Sequence, residues 1–195
     1  MNAADLVNAA QAPDDMDLSR ALRRAGPMNL ERASEVMAQF DLEGLVLGEP
    51  LNVFHALGYW PQIANTKMGQ PPSTFALLSR DRDRAPGFVT TRFIHYYSYA
   101  DGGFERELDT WLYEDTADSG DEAPAADWDM FPDRGHAPPT DVERRRRAAL
   151  GRVPLARRTV RDAGGALAKA MRGLGLWQGR AGFAAAVIAA GAPRH

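Results

Sequence analysis

Two short apolar segments bounded by turn-forming residues constrain the fold of this 195-residue chain more than any other feature. Residues 44–48 (GLVLG) set an apolar run between two glycines, and residues 74–79 (TFALLS) form a second such run. Continuous apolar runs of this length are typical of strands that are buried on both faces. We therefore expect both segments to be strands of a sheet with helices packed against it.

Segments with the apolar spacing of amphipathic helices alternate with these strands. Asn29 is positioned to cap the first helix, and the expected buried face of that helix is Leu30, Ala33, Val36, Met37 and Phe40. Further helices are expected over residues 51–57, 93–99, 141–147 and 159–174, and further strands over 87–90, 108–113 and 179–183. The charged turn at 80–84 favours a hairpin between the second and third strands. This alternation predicts an α/β domain of three layers, with the sheet in the middle.

Changes in composition divide the chain into three parts. Residues 1–27 form an alanine-rich N-terminal extension, residues 28–183 form the compact domain, and residues 184–195 form an alanine-rich tail. Within the domain, residues 114–139 are expected to be an acidic loop, because residues 114–129 contain seven acidic and no basic side chains. The hydrophobic core is therefore expected to come from residues 28–183 alone.

Composition excludes several classes of protein. The chain contains no cysteine, which excludes disulfides, thiolate zinc sites and a cysteine nucleophile. Its formal net charge of −3 provides no overall basic field that would attract nucleic acid. No segment approaches the roughly 18 apolar residues of a membrane span, and the first residues lack the features of a secretory signal. We expect a cytoplasmic protein with no nucleic-acid or membrane partner.

The four histidines are too scattered along the sequence to predict a metal site. They are His55, His95, His136 and His195. Zinc sites commonly place two histidines close together on one element, whereas no HxH, HxxxH or HExxH pattern occurs here. We expect His55 to be a partly buried, hydrogen-bonded residue and His95 to have a structural role beside two tyrosines. Nucleophile-elbow, phosphate-loop and EF-hand patterns are also missing from the sequence.

A cluster of arginines follows the acidic loop. Eight of them lie within 18 residues, at positions 144–147, 152, 157, 158 and 161. Nucleic-acid-binding patches combine such clusters with aromatic residues or with a recognised motif, and neither accompanies this one. We expect a solvated helix face, or pairing with the acidic loop at about 0–1 kcal/mol for each exposed pair.

Several short motifs follow one another in an informative order. They are residues 30–32 (LER), 41–47 (DLEGLVL), 50–59 (PLNVFHALGY), 75–78 (FALL), 174–176 (LGL) and 179–183 (GRAGF). The most specific stretch is 50–59, in which Asn52, an apolar residue and an aromatic residue precede Gly58 and Tyr59. Over residues 28–183 this order resembles the amino-terminal domain of the creatinase/prolidase (Xaa-Pro aminopeptidase-like) family. The acidic loop is longer than the family pattern.

The resemblance implies an α/β sandwich around a mixed central sheet flanked by helices, with no catalytic residue and no metal ligand of its own. In that family a second, carboxy-terminal "pita-bread" domain binds two metal ions through two Asp, one His and two Glu. The motifs of that domain are not found in this sequence. Divalent metals (Mn, Co or Zn) are therefore expected only where such a second domain exists, and no cofactor is expected in this chain.

The resemblance also implies a homodimer in which the domain serves dimerisation and the shaping of a substrate pocket. In related enzymes the loop after the Gly-aromatic motif reaches across the dimer and lines the partner's active site. By position this loop carries Tyr59, Trp60, Lys67 and Met68. An aromatic wall and a cation suit the proline ring and the carboxylate of a dipeptide. Ordinary packing of a surface loop is the alternative.

Three functional interpretations stay open at this point. The chain is a non-catalytic amino-terminal domain, a fragment of an intact metal-dependent Xaa-Pro peptidase or related hydrolase or lyase, or a stand-alone interaction module. For the chain by itself we expect no catalysis. After Phe183 the sequence departs from the family pattern, and we consider both a shifted reading frame and a native alanine-rich helix for residues 184–195.

Overall fold

The computed structural model describes residues 27–59, 74–99, 107–114 and 138–183. Its helices are α1 (Leu30–Gln39), α2 (Pro50–Leu57), α3 (Arg92–Ile94), α4 (Asp141–Gly151), α5 (Leu155–Arg158) and α6 (Ala163–Gly173), and α3 continues into a π-helical segment (His95–Tyr99). The strands are β1 (Gly44–Leu47), β2 (Phe75–Ser79), β3 (Gly87–Thr91), β4 (Asp109–Tyr113) and β5 (Ala181–Phe183). Both apolar segments are therefore strands, as predicted.

The strands form one five-stranded sheet in the order β4-β3-β2-β1-β5. Strand β2 pairs antiparallel with β1 and β3, whereas the pairs β1–β5 and β3–β4 are parallel. The sheet is therefore mixed, and the hairpin predicted between β2 and β3 is confirmed. Because β1, β3, β4 and β5 run in the same direction, all of them finish at one end of the sheet, which we call the carboxyl end.

Helices cover both faces of the sheet. On one face α6 buries Ala166 and Ala170 in a core with Leu77 of β2. On the other face α2 buries Leu57 in a core with Leu78 of the same strand. Neighbouring residues of β2 enter opposite cores, which explains why this strand needs a continuous apolar run. The predicted three-layer α/β class is confirmed.

Local signals explain where several helices begin and end. The Asn29 side chain accepts a hydrogen bond from the backbone N–H of Arg32 (2.9 Å), so Asn29 caps α1 as predicted. Helix α2 ends at Gly58, whose φ of 73° is a left-handed conformation that glycine adopts without steric cost. A capping box of Thr140 and Glu143 begins α4. There the backbone hydrogen bond from Thr140 lowers the pKa of Glu143.

Two sequence predictions about helices are wrong. Phe40 is 60% exposed, because α1 ends before it and the helical spacing no longer places its side chain on the buried face. Helix α6 begins at Ala163 and not at residue 159. Val160 instead forms a parallel bridge with Tyr113 of β4, and Asp162 then provides the helix cap. Tertiary pairing at Val160 therefore overrides a continuous helical pattern.

The predicted N-terminal extension (1–27), acidic loop (114–139) and tail (184–195) lie almost wholly outside the described residues, so their boundaries stay predictions. Among the described helices, none has the length and apolar character needed to cross a bilayer.

Candidate functional site

The carboxyl end of the sheet collects polar side chains from three strands. Thr74 immediately precedes β2, Arg92 follows β3, and Glu114 follows β4. Because β2 runs opposite to β3 and β4, its first residues lie at the end where the other two strands finish. The carboxyl ends of parallel strands are a common position for binding sites in α/β proteins. This end of the sheet is therefore a position at which the fold favours a binding site.

Arg92 and Glu114 form a buried ion pair at this end. The Arg92 Nη1 atom lies 2.9 Å from Glu114 Oε1, and the two side chains are only 3% and 13% exposed. The backbone N–H of Glu114 also donates to the Val160 carbonyl oxygen (2.8 Å). The ion pair thus links the carboxyl ends of the parallel strands β3 and β4. The role of the Glu114 carboxylate is structural, because it is paired with Arg92 and largely shielded from solvent.

Hydroxyl groups tie the start of β2 to β3. The Oγ1 atoms of Thr74 and Thr90 lie 2.9 Å apart in a buried hydrogen bond. The next residue, Thr91, accepts a hydrogen bond from the backbone N–H of Ile94 (3.0 Å) and so caps α3. The point at which the chain re-enters the sheet after residues 60–73 is therefore fixed by side-chain hydrogen bonding.

Tyr59 fixes the other end of the predicted pocket loop. Its side chain is 8% exposed, and its ring meets that of Phe88 edge to face, with the centroids 5.4 Å apart. The left-handed Gly58 directs the chain into this position. Tyr59 is thus a core residue at the root of the loop. The other predicted pocket residues, Trp60, Lys67 and Met68, lie outside the described residues.

Among the described residues, His95 is a titratable group whose pKa is strongly altered by its surroundings. It opens the π-helical segment and is 1% exposed. Burial lowers its pKa from 6.5 to about 4, so the imidazole is neutral at physiological pH. π-Helical turns often occur at functional sites. The position of His95 agrees with its predicted structural role, and its strong burial went beyond what the sequence indicated.

His55 differs from its prediction. It is exposed on α2, and its ring lies edge-on to that of Phe54 with the centroids 6.0 Å apart. The helix turns this side chain outward while Ala56 and Leu57 enter the core. His136 and His195 lie outside the described residues. Within those residues, no group of three or more His, Asp or Glu side chains is placed to hold a metal ion.

The arginine cluster makes many contacts within the domain. The Arg146 guanidinium lies over the Tyr97 ring, 4.8 Å from its centroid. Arg157 pairs with Asp109 and lies over the Trp111 ring at 4.7 Å. Arg158 donates to three carbonyl oxygens at the C-terminal end of α4 and just after it, those of Leu150, Gly151 and Val153. The predicted solvated face therefore describes only part of the cluster, because several of these arginines connect α4 and α5 to the rest of the fold.

Comparisons with known proteins identified no relative of this chain. No protein-family model matches the chain, and neither the curated proteins nor the solved structures gave a match.

Proposed function

We propose that this chain is a non-catalytic domain of the creatinase/prolidase amino-terminal type, which dimerises and helps to shape a substrate pocket. Within this proposal any metal-dependent chemistry belongs to a second domain, in the same protein or in a partner. The cytoplasmic location stays a prediction from the sequence.

The observation that supports the proposal most is the pairing of the second and the last motifs of the resemblance. Residues 41–47 contribute β1, and residues 179–183 contribute β5. These strands are neighbours in parallel, with Gly44 opposite Ala181 and Val46 opposite Phe183. Motifs more than 130 residues apart in the sequence thus build one side of a mixed sheet. A mixed sheet between helices is the architecture that the resemblance implies.

The fixed ends of the predicted pocket loop support the second part of the proposal. Tyr59 packs on Phe88 at one end, and Thr74 bonds Thr90 at the other. A loop whose ends are held by the core loses less conformational entropy when it binds a ligand. Such anchoring is suitable for a segment that presents an aromatic residue and a lysine to a neighbouring site.

The outer edge of β5 is the surface that we propose for dimerisation with a second copy of the chain. β5 pairs with β1 on one side, and within the described part of the chain no strand pairs with its other side. Phe183 in β5 is 42% exposed, and Trp177 in the segment that leads into this strand is 49% exposed. An open strand edge with apolar side chains is a ready template for pairing with another strand. Two copies related by a two-fold axis present the same edge to each other.

Chemical cross-linking tests this interface, because the native chain has no cysteine. A Phe183→Cys variant treated with a short bis-maleimide should give a covalent dimer on a denaturing gel. Leu155→Cys is the matched control, since Leu155 is 55% exposed on α5, which packs near the opposite edge strand β4. Equal cross-linking of both variants, or none in Phe183→Cys, would contradict the β5 interface. Turnover of Xaa-Pro dipeptides by the chain with added manganese would contradict its non-catalytic role.

A further inference from the structure

A groove opens at the end of the sheet opposite to the carboxyl end, and we call it the amino-end groove. Its walls are the turn before β3, the start of β4, the turn after α4 and the end of α6. Its volume is about 640 Å³, within the range of small-molecule sites. Among the described residues, Tyr59 is not part of its lining.

Of the residues that the structure describes, five with charged side chains line the groove: Arg84, Arg152, Arg157, Glu107 and Asp109. Most of this charge is compensated within the protein. Arg157 and Asp109 form an ion pair. Arg84 lies 3.4 Å from an oxygen of Asp81 and donates to the Gly173 carbonyl oxygen at 3.4 Å.

Arg152 and Glu107 are the two charged residues of this lining whose charges are not compensated by these contacts. Both are exposed, and within the described part of the chain neither forms an ion pair or a side-chain hydrogen bond. The groove therefore offers one available positive charge and one available negative charge. A simple anion would leave the Glu107 carboxylate without compensation, and a simple cation would leave the Arg152 guanidinium in the same state.

The rest of the lining favours a ligand with an apolar body. Leu108, Val153, Pro154 and Leu174 contribute apolar surface between the charged groups. His95 also lines the groove and is 1% exposed. Since burial lowers the pKa of His95 to about 4, its ring adds polarity to the wall and no charge at neutral pH.

We propose that the amino-end groove binds a small zwitterion with an apolar side chain, of the type of a free aliphatic amino acid. The ligand carboxylate pairs with the Arg152 guanidinium, which can form two parallel hydrogen bonds with it. The ligand ammonium pairs with the Glu107 carboxylate, and its side chain packs on the apolar wall. This inference does not depend on the proposed function, because it rests on a different part of the structure.

Isothermal titration calorimetry with a matched set of ligands tests the two-ended site. The set is leucine, N-acetyl-leucine (carboxylate only), leucine amide (ammonium only) and leucyl-leucine, which separates the charges further. Leucine should bind saturably and about tenfold more tightly than either one-charge analogue, a ratio equivalent to about 1.4 kcal/mol. Tighter binding of leucyl-leucine than of leucine would support the two-ended site and assign it to peptides.

Charge-removing variants complete the test. Arg152→Gln and Glu107→Gln should each weaken leucine binding about tenfold, because each leaves one end of the ligand unpaired. Arg145→Gln is the control, since Arg145 is exposed on α4 and lies outside the groove lining. All three positions are exposed, and unchanged circular dichroism will verify that the variants fold. The proposal is overturned if leucine shows no saturable binding, or if the one-charge analogues bind as tightly as leucine. It is also overturned if the Arg152→Gln and Glu107→Gln variants bind leucine as tightly as the wild type.

Discussion

Acidification should destabilise the protein through His95, whose burial in the π-helical segment holds its pKa at about 4 in the folded state, below the 6.5 of an unperturbed histidine. In the unfolded chain His95 is therefore protonated below about pH 6.5, whereas in the folded protein it is protonated only as the pH approaches 4. Stability is retained at higher pH and is lost as the pH falls through this interval. At about 1.4 kcal/mol for each pKa unit, the loss is about 2 kcal/mol between pH 7 and pH 5. It reaches about 3 kcal/mol near pH 4.

Urea unfolding followed by tryptophan fluorescence measures this effect. The wild type, His95→Leu and His95→Gln are compared at pH 7 and pH 5. The leucine variant removes the titrating group and keeps an apolar side chain in the site. Its free energy of unfolding should fall by about 2 kcal/mol less than that of the wild type over this interval. His55→Leu, which replaces an exposed histidine on α2, is the matched control variant. Equal pH dependence in the wild type and both His95 variants would refute the assignment of a buried neutral imidazole.

Two further perturbations follow from the packing. Arg92→Met leaves the Glu114 carboxylate buried without its partner and should cost about 3 kcal/mol, whereas the double variant Arg92→Met/Glu114→Leu should recover most of that loss in chemical unfolding. A double variant no more stable than the single one would contradict the pairing. Gly44→Ala should cost roughly 1–3 kcal/mol, because its Cβ would lie 2.4 Å from the backbone oxygen of Leu78. Gly151→Ala has open space at the end of α4 and should stabilise by up to about 1 kcal/mol; thermal melts that rank the two variants in the opposite order would show that the close approach is misplaced.

The features that the sequence predicted correctly are those encoded over a few neighbouring residues. The glycines around 44–48 and the apolar run at 75–78 mark strands whose two faces are both covered. Asn29 and Gly58 mark helix ends by local backbone chemistry. These signals need no knowledge of distant parts of the chain, which explains why the α/β class and most elements could be predicted.

The features that were missed depend on contacts between distant segments. Arg157 meets Asp109 across 48 residues of sequence. No local pattern distinguishes such an arginine from the exposed Arg145 of the same cluster. His55 and His95 both stand beside aromatic residues in short helical segments, and only the tertiary packing makes one exposed and the other buried. The amino-end groove could not be predicted for the same reason, because its described lining comes from five separate parts of the chain.

The molar mass of the protein in solution tests the proposed dimerising domain most directly. Light scattering at micromolar concentration should give twice the chain mass of 21.3 kDa. Phe183→Asp should lower the mass to that of one chain, because the charge would be buried in the β5 interface, and Leu155→Asp should leave the dimer unchanged. A wild-type protein that remains at 21.3 kDa would contradict dimerisation as the role of this domain.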